Sequence, residues 1–128
     1  MLKVKPAADS VEAVIAYVDQ FMMENGLESR LRNRVKTALD DMYFNVVSYS
    51  GADSATVECA ISEGALHVII TDNGEPFNPL ERPEPDITLS AEERGIGGLG
   101  IFMARKLLSD MKYEYRNGNN HLTLIMKL

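Results

Sequence analysis

The chain has 128 residues, 45% of them hydrophobic and 25% charged, which suits one compact domain spanning residues 1–128 and excludes a wholly disordered chain. Thirteen basic against nineteen acidic residues leave a net charge of −6, which argues against nucleic-acid binding through clustered cations. A single cysteine excludes an internal disulfide and a cysteine-built metal cluster. No apolar run approaches the roughly 20 residues of a membrane span, and the start MLKVKPAADS lacks a signal-peptide core, so the expected location is the cytoplasm.

Residues 1–4 are short and apolar, an edge strand punctuated by Pro6. A helix is expected from Asp9, because Asp9 and Glu12 stand at capping-box spacing and Val11, Val14, Ile15, Val18, Phe21 and Met22 recur at helical intervals. Asn25-Gly26 ends it. A longer helix is expected from about Glu28 to about Tyr49, stopped by Ser50-Gly51, with Leu31, Val35, Ala38, Leu39, Met42 and Val46 on one stripe. Asn45 then falls about 70° from the stripe's centre and Asp41 about 40° further round, both on the flank where core meets solvent.

Strand periodicity follows in ATVECAI, with Ala55, Val57, Cys59 and Ile61 on one face. After a turn at residues 62–64, ALHVIITD places Leu66, Val68, Ile70 and Asp72 together, so Asp72 ends an apolar row and points to the buried side. The next twenty residues, 75–94, hold four of the five prolines and no clear period, and their six acidic against two basic residues supply most of the net charge. The run GIGGLG at 95–100 opens a helical stretch carrying Ile101, Ala104, Leu107, Leu108 and Met111 on one side. KYEYR and HLTLIMKL, joined at Asn117-Gly118, close the chain as a hairpin. The fold class is α+β: two layers, at least four largely antiparallel strands with three helices on one face.

Three polar features sit where packing alone would not choose them. Asp41 and Asn45 are four apart on a core-facing helix; such a pair is often only solvated, but a carboxylate and an amide oxygen on one face can also orient a hydroxyl and coordinate magnesium. ITDNGEPF at 70–77 reads as a turn after a strand, yet the inward direction of Asp72 would bury a carboxylate that needs a donor, and Gly74 would let a flat ring approach the backbone. RGIGGLGIF at 94–102 is either a hinge or an anion cradle, since bare amides at a helix N-terminus point at phosphate oxygens. The string fits G-x-G-x-x-G, but a proline-rich loop precedes it and a hairpin follows, which is not the dinucleotide-binding context. A Walker loop fails for want of Gly-Lys-Ser/Thr.

In this order the three features resemble the nucleotide-binding boxes of the GHKL ATPase superfamily, and most closely those of the bacterial anti-sigma-factor serine/threonine kinases, over roughly residues 8–128. The resemblance implies a Bergerat-type ATP-binding fold. It further implies that Asn45 in LDDMYFNVVSYSG binds Mg2+, that Asp41 is the general base, and that Asp72 with Gly74 recognises adenine. Arg94, Gly95, Gly97, Gly98, Leu99 and Gly100 would hold the phosphates of ATP or ADP, and residues 75–94 would form the lid. One position departs from the family pattern: the general base is typically glutamate, and Asp41 is shorter by one methylene, which bears on catalysis more than on binding. Asp40 is rotated about 100° away and is a poor substitute.

The implied activity is phosphoryl transfer to a serine of an anti-anti-sigma factor, with a sigma factor as second partner and a homodimer as the family's common state. A non-catalytic nucleotide-binding module acting by sequestration is the alternative. A histidine-kinase catalytic domain is a third reading, disfavoured by the short lid and the compact end at Leu128. Cys59 and the seven methionines are expected to pack, and His67 and His121 sit on strand faces opposite the main apolar rows, with nothing that places a nucleophile or carboxylate beside them.

Overall fold

The computed structural model describes residues 1–81 and 104–128. Its strands are β1 (Leu2–Val4), β2 (Ala55–Ser62), β3 (Ala65–Asp72), β4 (Asp110–Arg116) and β5 (Asn119–Lys127), and its long helices are α1 (Val11–Glu24) and α2 (Ser29–Tyr49). The strands form one sheet in the order β1-β2-β3-β5-β4, every pair antiparallel. The expected α+β architecture is present, with one strand more than the minimum read from the sequence.

Register explains which side is buried. Val57 pairs with Ile70 and Ile70 with Leu122; Val68 likewise pairs with Leu124, so successive apolar rows cross the sheet on one face. Val14, Val18 and Met22 of α1 and Val35, Leu39 and Met42 of α2 complete the core with those rows. The two helices are also tied by charge, since Asp19 takes Arg32 at 2.8 Å and Lys36 at 3.5 Å. Arg34 of α2 donates to the Leu107 carbonyl at 3.1 Å, which satisfies an orphan acceptor where helical residues 104–107 end. The β4–β5 turn has φ of 56° at Asn117 and 78° at Gly118, both left-handed, the combination that two-residue hairpins require.

Three local expectations are corrected. The capping box at Asp9 and Glu12 is absent: residues 8–10 form a short 3-10 turn, and Ser10 supplies the side chain, its Oγ accepting from the Ala7 amide at 3.2 Å. Met111 belongs to β4, not to a helix, because it pairs with Leu124 there. Ile61 keeps the face it shares with Val57, as expected, and is exposed there because it lies toward the end of β2 away from the core. Within residues 75–94, Pro79–Glu81 form a 3-10 turn, which the proline spacing did not disclose.

Candidate functional site

On α2 the buried arc runs through Val35, Ala38, Leu39, Met42, Tyr43, Asn45 and Val46. At about 100° per residue this is roughly 160° wide, broader than the apolar stripe, with Tyr43 at one margin and Asn45 at the other. Asn45 is therefore inside, at 1% exposure, rather than on the flank where the sequence placed it. Asp41 lies one turn back and is partly buried, as expected of a flank position. Burial raises the Asp41 carboxyl above its ordinary value, and the neighbouring Asp40 charge adds to the rise.

The Asn45 amide is fixed by its own helix: Nδ2 donates to the Asp41 carbonyl at 2.8 Å. Its Oδ1 is buried without a hydrogen-bond partner among the described residues. A buried acceptor left in that state costs free energy unless a donor or cation meets it. Magnesium takes oxygen ligands, commonly one or two from protein with the rest from phosphates and water, so an orphaned amide oxygen fits such an ion. Among the described residues no three of His, Cys, Asp and Glu gather to hold a metal.

Asp72 closes β3 at 3% exposure, facing inward as its place in the apolar row predicts. It pairs with Ala55 on one side and Asn120 on the other. Among the described residues, the hydrogen bonds to its carboxylate land on Oδ1, from the Gly74 amide at 2.9 Å and from Asn120 Nδ2 at 3.0 Å. Oδ2 accepts no bond from the described residues. Asn120 is the residue that sequence reasoning missed, because the HLTLIMKL alternation shows itself only from His121 onward while the strand starts at Asn119. Carrying the Leu122, Leu124, Met126 alternation back by two positions would have placed it on the inner row.

Gly74 has a structural reason of its own. A Cβ there would sit 2.2 Å from the Ser50 carbonyl oxygen, so the chain after β3 touches the end of α2 only because this residue has no side chain. The Glu75 amide donates to that same oxygen at 2.8 Å. Asn73 Oδ1 accepts from the Asp53 and Ser54 amides at 2.9 and 3.1 Å, and Tyr49 stacks on Phe77 with centroids 5.3 Å apart. These contacts join the C-terminal end of α2, the helix that carries Asp41 and Asn45, to the segment that carries Asp72 and Gly74. Arg94, Gly95, Gly97, Gly98, Leu99 and Gly100 lie outside the described residues, as does the span 82–93 of the expected lid.

Comparisons with known proteins bear on the family and the fold. Residues 4–126 match the model of the histidine kinase-like ATPase domain. The chain is 26% identical over 129 residues to the serine/threonine-protein kinase BtrW of Bordetella bronchiseptica, covering 96% of this chain and 89% of that protein. It is 34% identical over 92 residues to the serine-protein kinase RsbW of Listeria monocytogenes, a match that covers 66% of this chain and 59% of the relative. Among solved structures, the RsbU and RsbW domains of Rv1364c from Mycobacterium tuberculosis share the fold, with a TM-score of 0.63 at 18% identity over 99% of this chain and 32% of that one. An ATPase-family model spanning nearly the whole chain, on a five-stranded antiparallel sheet with its helices, shows that this chain belongs to the histidine kinase-like ATPase family.

Proposed function

We propose that this chain binds ATP and acts as a serine/threonine protein kinase that phosphorylates an anti-anti-sigma factor and holds a sigma factor inactive. The observation that carries the reading is the orphaned Asn45 Oδ1, one helical turn from a carboxylate whose basicity burial has raised. The relatives named as serine kinases support it.

In this reading Asp72 Oδ2 accepts a hydrogen bond from the adenine amino group. Asn45 Oδ1 would hold magnesium, which supplies charge neutralisation for the phosphates when bound. Asp41 accepts the proton of the substrate serine as its oxygen attacks the terminal phosphorus and the bond to the ADP oxygen breaks. The raised basicity of Asp41 favours that transfer and works against the handicap of its shorter arm. Gly95, Gly97, Gly98 and Gly100, with Arg94 and Leu99 beside them, are proposed to enclose the phosphates through their amides. A cytoplasmic location and a homodimer complete the proposal; among the described residues no helix is long and apolar enough to cross a membrane.

The alternative, a nucleotide-binding module that sequesters partners without phosphorylating them, draws on the aspartate at position 41. Thermal unfolding with and without Mg-ATP tests the binding site. Nucleotide at about 100 times its dissociation constant adds about 2.7 kcal/mol, so the midpoint should rise by several degrees in the wild type and by clearly less in Asn45→Ala. No rise at millimolar nucleotide would remove the proposal. Transfer of labelled phosphate from ATP to an anti-anti-sigma factor then separates kinase from module, with Asp41→Asn as the control.

A further inference from the structure

We infer that Asn120 is a positioning residue that aims the Asp72 carboxylate at its ligand and locks it to the segment that follows β3. The inference rests on the reading of Asp72 as the adenine contact.

Asn120 is 3% exposed, and its amide has used its hydrogen-bonding capacity. Nδ2 donates to Asp72 Oδ1 at 3.0 Å and to the Glu75 carbonyl at 2.8 Å. Oδ1 accepts from the Phe77 amide at 3.0 Å and from the Tyr113 hydroxyl. Three of these bonds fix the plane of the amide against β4 and against residues 75–77. The fourth delivers a donor to the oxygen that the Gly74 amide already holds. With Oδ1 accepting twice, the carboxylate is held against rotation, and Oδ2, which accepts no bond from the described residues, is the oxygen that this reading offers to the ligand. An acceptor-only edge selects a ligand that brings a donor, such as an exocyclic amino group, over one that brings a carbonyl or a bare ring carbon. Asn120 touches no ligand in this scheme and acts through Asp72.

The test compares ATP with purine riboside 5′-triphosphate, which lacks the 6-amino group, for binding to the full chain. The wild type should prefer ATP by about tenfold or more, the usual worth of a hydrogen bond to a charged group. In Asn120→Leu the ATP dissociation constant should rise by about that factor while the purine riboside value stays in place, so the preference collapses. Equal weakening of both nucleotides would overturn the positioning role and leave Asn120 a structural residue. A wild type that binds both equally would instead remove the adenine contact at Asp72, and the inference with it, while binding itself stood. Should Asn120→Leu fail to fold, the wild type decides: the Asn120 side-chain amide resonances should shift with ATP and not with purine riboside triphosphate, and equal shifts would overturn the role.

Discussion

The carbonyl oxygen of Ser50, at the end of α2, lies 2.2 Å from where a Cβ on Gly74 would be. The neighbouring Ser50 carbonyl carbon would be at 2.7 Å, so the obstruction is backbone and cannot rotate aside. Gly74→Ala therefore has to push the segment after β3 away from α2 and strain the bond from the Glu75 amide to Ser50. Overpacking of this kind costs about 1–3 kcal/mol. The expected outcome is a thermal midpoint several degrees lower without any nucleotide, which calorimetry can read. An unchanged midpoint would mean that the close approach carries no energetic demand, and that Gly74 is there for a ligand alone.

Ser10 and Tyr43 are 33 residues apart and their hydroxyls meet at 2.6 Å. Tyr43 is fully buried, and its phenol is raised by that burial while the bond to Ser10 works in the opposite direction. The bond ties the start of α1 to the middle of the helix that carries Asp41 and Asn45. Tyr43→Phe keeps the ring and removes the hydroxyl, so it should cost about 1 kcal/mol in urea unfolding. Ser10→Ala also loses the bond that Ser10 Oγ donates to the Ala7 carbonyl at 2.7 Å and should cost more. Because both variants delete the same contact, the double variant should cost less than the sum of the two, and strict additivity would deny the coupling.

These contacts mark the limit of what the amino-acid order discloses. Val57, Val68, Ile70, Leu122 and Leu124 alternate in sequence and form the inner face of the sheet, because period two leaves a strand only two sides. The inward turn of Asp72 was legible for the same reason. Asn45 was placed on a flank because the apolar stripe underestimates the buried arc: what covers a helix is set by the chain packed over it, and polar side chains contribute no period. Asn120 and Ser50 were invisible because their significance lies in partners 48 and 24 positions away, Asp72 and Gly74, which only the folded register brings together.

Cys59 shares the inner face of β2 and packs against the core. Burial pushes its thiol up to about 11, with the N-terminal ammonium opposing the rise. At pH 8 only about a thousandth of it would be thiolate, the form that reacts. A thiolate of higher basicity is also a better nucleophile, which returns part of the lost rate. Alkylation by iodoacetamide at pH 8 should still be at least about tenfold slower in the folded chain than in denaturant. Equal rates would show that the strand face opens faster than the reagent attacks.

Asp41 gives the clearest dependence on pH. Its carboxyl is raised in the folded chain, first by burial and then by Asp40, relative to the unfolded value of 3.8. The folded state thus binds its proton more tightly, and the stability this contributes is complete below pH 3.8 and disappears as pH rises through the raised value. At pH 7 the ionised group is a burden on folding, lightened because it keeps contact with solvent. Asp41→Asn removes that burden and its repulsion with Asp40, so the variant should match or exceed the wild type in stability at pH 7. The gap in its favour should narrow on acidification toward pH 4. Phosphoryl transfer to a serine substrate should be lost in the same variant while the Mg-ATP shift in thermal midpoint persists, since the Asn45 amide bonds the backbone carbonyl of residue 41 and not its side chain. A variant that is less stable at neutral pH and binds no nucleotide would assign Asp41 to the architecture of α2. A variant that folds, binds and still transfers phosphate would remove it as the base.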